Sequence, residues 1–112
     1  MAGFNAVLGL KPGPGPGEVT LDTRPEHEVG GGFVHFAVLA TVAEVAAAGA
    51  AATSVVPAQI SLSLLSPAKL GRLEGKGKVI RRGKRLIVAE GEVFQGDALV
   101  AKAVVTFAVV GS

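Results

Sequence analysis

Residues 32–52 read Gly-Phe-Val-His-Phe-Ala-Val-Leu-Ala-Thr-Val-Ala-Glu-Val-Ala-Ala-Ala-Gly-Ala-Ala-Ala, and this run restricts the folds open to the chain more than any other. It lacks proline, is dominated by the strong helix former Ala, and suffices for about five helical turns. Its apolar residues, Val38, Leu39, Val42, Val45 and the alanines, do not keep to one stripe. A helix of that kind is expected to be enclosed by protein rather than laid on a surface. Glu44 is the one ionisable side chain in its interior. A carboxylate withdrawn from water costs several kcal/mol unless it is paired, hydrogen-bonded or protonated, so Glu44 needs a reason to be there.

The rest of the chain supplies strands to enclose that helix. Glu18–Thr23 alternates, with Val19 and Leu21 on one face, and predicts a first strand before the Gly30-Gly31-Gly32 loop. Ala58–Leu65 alternates Ala58, Ile60, Leu62 and Leu64 against Gln59, Ser61 and Ser63, and Ser66-Pro67 ends it. Arg72–Arg81 puts Leu73, Gly75, Gly77 and Val79 inward and Glu74, Lys76 and Lys78 outward. Its two glycines leave room for a close neighbour, the helix or a ligand. Arg82-Gly83 and Gln95-Gly96-Asp97 read as turns around strands Leu86–Phe94 and Ala98–Val110. The last strand is apolar on both faces and belongs in the middle of the sheet or covered on both sides. Ahead of all this, Ala2–Leu10 reads as a short helix or turn packing Phe4, Val7 and Leu10, and Lys11–Gly17 as a stiff Pro/Gly connector.

At 112 residues one domain is expected, residues 1–112, with 1–17 as an N-terminal segment. The chain has no Cys, which removes thiol catalysis, Cys-bound zinc and disulfides. Without Tyr or Trp, base stacking on nucleic acid is not expected. The hydrophobic share is 49% against 18% charged, high for a small monomer, and points to a partner subunit over part of the surface. No secretory signal is read at the N-terminus, and Glu44, Thr41 and His35 argue against a membrane span, so a cytoplasmic protein is expected.

A strand, one long hydrophobic helix and four further strands with short connections define an α+β architecture. A curved antiparallel sheet of about five strands wraps the helix, which is the hotdog fold. Two motifs go further. Glu26-His27 is followed by Gly32-x-Val34-His35, with Glu44 nine positions beyond His35. Later comes Leu65-Ser66-Pro67-Ala68-Lys69-Leu70-Gly71, then a strand, Gly83-Lys84 and another strand. From Glu18 to Val110 the chain resembles the PaaI-type acyl-CoA thioesterases of the hotdog superfamily. Their usual pattern is His-x-Asn-x-x-Gly-x-x-His-Gly-Gly, with an acidic residue nine positions past the second His.

The resemblance implies that Glu44 acts as general base or nucleophile on a thioester, with the Phe36 N–H polarising its carbonyl. It implies His35, Gly32 and Val29 at the substrate site and Arg81, Arg82 and Lys84 on the coenzyme A phosphates. It also implies a dimer or a dimer of dimers with sites at the subunit interface. No cofactor or metal is implied beyond the coenzyme A carried by the substrate. The chain departs from the pattern at Val29, which replaces the Asn, at Phe36-Ala37, which replace Gly-Gly, and at Pro57, near a common strand Ser.

The residues themselves leave alternatives. Burial is expected to raise the Glu44 pKa, which suits a base near neutrality, yet a buried ion pair with an Arg or Lys from the sheet or from a partner subunit would also account for it. The Arg81–Arg85 cluster suits phosphates or an ordinary solvated turn. His35 lies opposite Glu44 on an ideal helix, which argues against a dyad and for a structural role. His27, between Glu26 and Glu28, reads as solvated loop rather than metal ligand. Phe33 and Phe36 are candidates for an acyl or aryl pocket. A hotdog module that binds acyl-CoA without hydrolysing it is the alternative, and Val29 and Phe36-Ala37 favour it.

Overall fold

The computed structural model describes residues 1–111. Helix α1 (Gly3–Leu8) and the two-residue strand β1 (Lys11–Pro12) precede β2 (Glu18–Asp22). A 3-10 turn at Pro25–His27 leads into a small hairpin of β3 (Glu28–Gly30) and β4 (Phe33–Val34), and then α2 (Phe36–Ala51). Strands β5 (Val55–Leu64), β6 (Arg72–Arg82), β7 (Leu86–Gln95) and β8 (Ala98–Val109) complete the chain. The main sheet runs β1-β2-β6-β7-β8-β5, with every pairing antiparallel. This is the hotdog architecture, with five long strands and β1 as a short addition at one edge.

The helix sits on this sheet because both partners are cut down where they meet. Val38, Leu39, Val42, Ala43, Ala46, Ala47 and Ala51 form its buried face. Opposite them, Gly77 of β6 and Gly91 of β7 are register partners. A Cβ at Gly77 would strike the Ala46 carbonyl, and one at Gly91 the Ala43 carbonyl. Of the inward glycines of β6, Gly77 thus admits the helix backbone and Gly75 the side chains of Val19, Val42 and Ala46, and neither leaves room for a ligand. Around this saddle Phe107, Leu73, Leu21, Ile87, Val93 and Val105 are fully buried.

Several expectations change in the folded chain. The helix starts at Phe36, not Gly32, because residues 33–34 are taken into β4. It is also not enclosed. Phe36 and Ala37 are exposed and Ala40, Thr41, Glu44 and Ala48 only half-buried, since one sheet covers one side of a cylinder. In α1, Phe4 and Val7 are exposed, while Leu10 beyond its end joins the core and Leu8 packs against it. The Pro/Gly segment is not wholly irregular, for Lys11 and Pro12 pair with Thr20 and Val19.

β5 begins at Val55 rather than Ala58, and Pro57 is tolerated because the strand lies at the sheet edge, where a missing N–H need not break a ladder on both sides. A bulge between Pro57 and Gln59 interrupts its alternation. Only Val55 and Leu62 are half-buried, while Ile60 and Leu64 are exposed. β8 is interior to the sheet, between β7 and β5, as its two apolar faces predict. The convex sheet face sets opposite charges across strands: Lys76 faces Glu92, Lys78 faces Glu90 and Glu92 faces Lys102. No helix among the described residues is long and apolar enough to cross a membrane.

Candidate active site

The start of α2 is fixed by short-range hydrogen bonds. His35 is the N-cap, and its Nδ1 accepts the Ala37 N–H at 3.0 Å. The His35 carbonyl accepts the Val38 N–H at 3.0 Å. The Phe36 N–H is left without an acceptor among the described residues. It lies at the positive end of a 16-residue helix, where free donors and the aligned peptide dipoles favour negative charge. The His35 and Phe36 rings stack at 4.8 Å between centroids.

The β3–β4 hairpin stands beside this helix start. Its turn, Gly31-Gly32, has φ of 65° and 82°, the left-handed pair that a tight two-residue hairpin demands. Val29 is exposed on this hairpin, and Gly32 accepts the Leu70 N–H through its carbonyl at 3.2 Å. The Val34 N–H donates to the Ala68 carbonyl at 2.8 Å. The facing loop is held in turn by Gln95, whose Oε1 accepts the Lys69 N–H at 2.9 Å and whose Nε2 donates to the Lys69 carbonyl at 2.6 Å. Between hairpin, helix start and loop lies a cavity of about 300 Å³, lined by Phe33, Val34, Phe36, Leu39 and residues 64–68.

Glu44 is two turns further along the helix on its open face, half-buried among alanines and Thr41. No described residue forms an ion pair or hydrogen bond with its carboxylate, so the anticipated pairing with a sheet cation does not occur within the chain. Burial alone raises its pKa above the ordinary 4.5. Arg81, Arg82 and Lys84 lie elsewhere. Arg82 faces Ile87, which faces Phe107, which faces Pro57. The cavity is at the other end of β5, roughly 20 Å of strand away. One chain therefore gathers Gly32, His35 and Phe36 beside the cavity, with Val29 on the adjoining hairpin, and leaves the basic hairpin at the opposite end of the sheet.

Two features lie beyond what the sequence signals. His27 is buried, 5% exposed, not a solvated loop residue, because its ring closes the 3-10 turn against α1. Gln95 reads along the chain only as a turn residue, and nothing local in the sequence marks its amide as a clasp for a loop 26 positions away.

A single long helix in a curved antiparallel sheet, with a free amide and an apolar cavity at the helix start, defines a protein of the hotdog fold. The sequence profile of the thioesterase superfamily matches residues 31–102, and the chain belongs to that superfamily. The conserved protein PA5202 from Pseudomonas aeruginosa is 28% identical, with a TM-score of 0.87 over 98% of this chain and 95% of its own. A mutant of the phenylacetic acid degradation protein PaaI from Thermus thermophilus is 26% identical, with a TM-score of 0.86 over 96% of this chain and 98% of its own. BH2602 from Bacillus halodurans, solved with CoA, shares the fold at 22% identity and a TM-score of 0.87, over 98% of this chain and 78% of its own. No curated protein matches the chain significantly.

Proposed function

We propose that this chain hydrolyses acyl-CoA thioesters to the free acid and coenzyme A, with Glu44 as general base or nucleophile and the Phe36 N–H as oxyanion donor. The observation that carries the reading is the unpartnered Glu44 carboxylate, pushed up in pKa by burial on an otherwise apolar helix face. A carboxylate so perturbed is a better base near neutrality than one in water. As base, Glu44 takes a proton from water as its oxygen adds to the thioester carbonyl. The developing oxyanion is met by the Phe36 amide and helix dipole of a second copy of the chain, because within one chain Glu44 lies two turns, about 12 Å, beyond that amide. The C–S bond then breaks, and the departing thiolate receives the proton that Glu44 holds. No metal or cofactor enters the scheme. Phe33, Phe36 and Leu39 offer the acyl group an apolar wall, and the phenylacetic acid degradation relative supports including aryl groups among candidate acyl chains.

The working unit in this reading is a dimer. β5 is a ten-residue edge strand carrying no charged side chain, which is the unprotected edge that another strand covers. Two β5 strands paired antiparallel about a two-fold axis bring the Val55 end of one beside the Leu64 end of the other. The basic hairpin of a second copy, with its Arg81, Arg82 and Lys84, then approaches this chain's cavity, where it is suited to the coenzyme A phosphates.

The test is thiol release from short, medium, long and aryl acyl-CoAs, with Glu44→Gln as control. Turnover lost in the variant supports the reading, and equal turnover refutes the role of Glu44. No turnover by the parent, with CoA binding retained by calorimetry, would leave an acyl-CoA-binding module, the outcome that Val29 and Phe36-Ala37 favour.

A further inference from the structure

We infer that His27 is a positioning residue for the start of α2 and that acid releases it, because one buried imidazole accepts a backbone hydrogen bond inside the turn that holds His35. The Nδ1 of His27 accepts the Arg24 N–H at 3.0 Å, and the His27 N–H donates to the Arg24 carbonyl at 2.8 Å. The carbonyl of the same residue accepts the His35 N–H at 2.8 Å. His27 thus ties the 3-10 turn to the N-cap of α2, and through it to the free Phe36 amide and the cavity wall. Arg24 extends the tie to α1, where its Nη2 donates to the Val7 carbonyl at 3.3 Å.

A neutral imidazole whose Nδ1 lone pair is occupied carries its proton on Nε2. That Nε2 is buried, with the Leu8 carbonyl of α1 nearby but no partner at hydrogen-bond geometry among the described residues. A second proton has only Nδ1 to go to, where the Arg24 N–H already points. Two donors then face each other, the bond is lost, and a charge stands in a site that solvates it poorly.

Every group around the ring is accounted for. Burial, the largest influence, and the Arg24 guanidinium both disfavour the imidazolium, while the Glu26 carboxylate and the Leu8 carbonyl of α1 favour it. The balance holds the folded-state pKa below the ordinary 6.5. The stabilisation that His27 contributes is therefore complete above that unfolded-state value and is lost as pH falls through the lower folded-state value. The site opens in acid, and it does so whether or not Glu44 is a catalyst.

The experiment is NMR titration of the full chain from about pH 8 to about pH 4.5 across the range of imidazole protonation. The chain has two histidines, so a His35→Asn variant, which keeps a capping side chain, leaves His27 as the only imidazole. The expected result is an Nε2–H tautomer at high pH and a midpoint below 6.5. The backbone amides of Arg24 and of position 35 should move with that same midpoint. His27→Gln keeps a reach-back acceptor at the third turn position without a titrating group, so its amides should hold their neutral-pH positions through the same range. An Nδ1–H tautomer, a midpoint at or above 6.5, amides that ignore the titration, or an acid transition that survives in His27→Gln would each overturn the assignment. Titration of the parent chain decides the matter even if a variant fails to fold. Because turnover is not read, absence of hydrolysis would not affect the outcome.

Discussion

Replacing Gly91 with Ala puts one methyl group where the fold has no space for it. The Cβ would land on the Ala43 carbonyl oxygen of α2, and both colliding groups are backbone, so no rotamer change relieves them. Carbon and oxygen atoms come no closer than about 3.3 Å even in favourable contacts, so the helix must retreat by about an ångström or more. A gap of that size forfeits a quarter to a half of the dispersion well for the side chains it separates. Overpacking in cores costs about 1–3 kcal/mol, and a rigid collision belongs at the top of that range. The strand propensity regained by replacing Gly offsets about 0.5–1 kcal/mol. The net expectation is a loss of about 2 kcal/mol, a fall in Tm of about 8–10 °C for a chain of this size.

Gly75→Ala is the internal control. Its Cβ would meet Val19 Cγ2 at 2.7 Å, Val42 Cγ1 at 2.9 Å and Ala46 Cβ at 3.2 Å, largely side chains that can give way. It should cost about 1 kcal/mol or less. Urea unfolding at one fixed protomer concentration, with the slope unchanged, reads both losses. If Gly91→Ala costs no more than Gly75→Ala, the glycine saddle is not what sets the helix-to-sheet distance.

Three further outcomes are expected. Glu44 has a folded-state pKa above 4.5, so as a base it should give kcat/KM an acid limb with a midpoint above that value. The stabilising contribution of its protonated form is present below 4.5 and lost as pH rises through the folded value; Glu44→Gln should therefore raise Tm at pH 7 relative to the parent, while abolishing turnover, and a variant no more stable than the parent there would contradict the burial cause. Ile60→Lys puts a charge on the exposed edge strand and should convert the proposed dimer to monomer in analytical ultracentrifugation; a dimer that persists in the variant would rule out β5 as the interface. Ala52 caps α2 in the left-handed conformation at φ 55°, the one described residue other than Gly with positive φ, so Ala52→Gly should stabilise by about 1 kcal/mol in the same urea assay, and a loss would refute the strain.

Much of this fold is legible along the chain because its elements carry clean periods. The alternation of Leu73, Gly75, Gly77 and Val79 against Glu74, Lys76 and Lys78 reappears as buried and exposed faces of β6. The Ala-rich run reappears as α2, shortened at its start because residues 33–34 join β4, which leaves His35 as its N-cap. Periodicity fails where the neighbour, not the residue, decides exposure. Ile60 and Leu64 alternate like core positions, yet both are exposed on an edge strand, where Leu64 lines the open cavity beside α2. The all-round apolar surface of α2 likewise counts a face that one chain leaves open.

Pattern along the chain is enough to place β2, β6, β7, β8 and most of β5, to set one hydrophobic helix against them, and to mark Glu44 as an ionisable group out of place on that helix, though not to find β1, β3 or β4. Those properties follow from local propensity and from spacing along one chain. Tertiary structure alone decided that Gly77 and Gly91 face each other under the helix backbone, that Gln95 clasps the loop at Lys69, that His27 is buried, and that the basic hairpin is a strand length from the cavity. These depend on strand register and on contacts between residues far apart in sequence. Register is fixed only when the whole sheet closes on the helix.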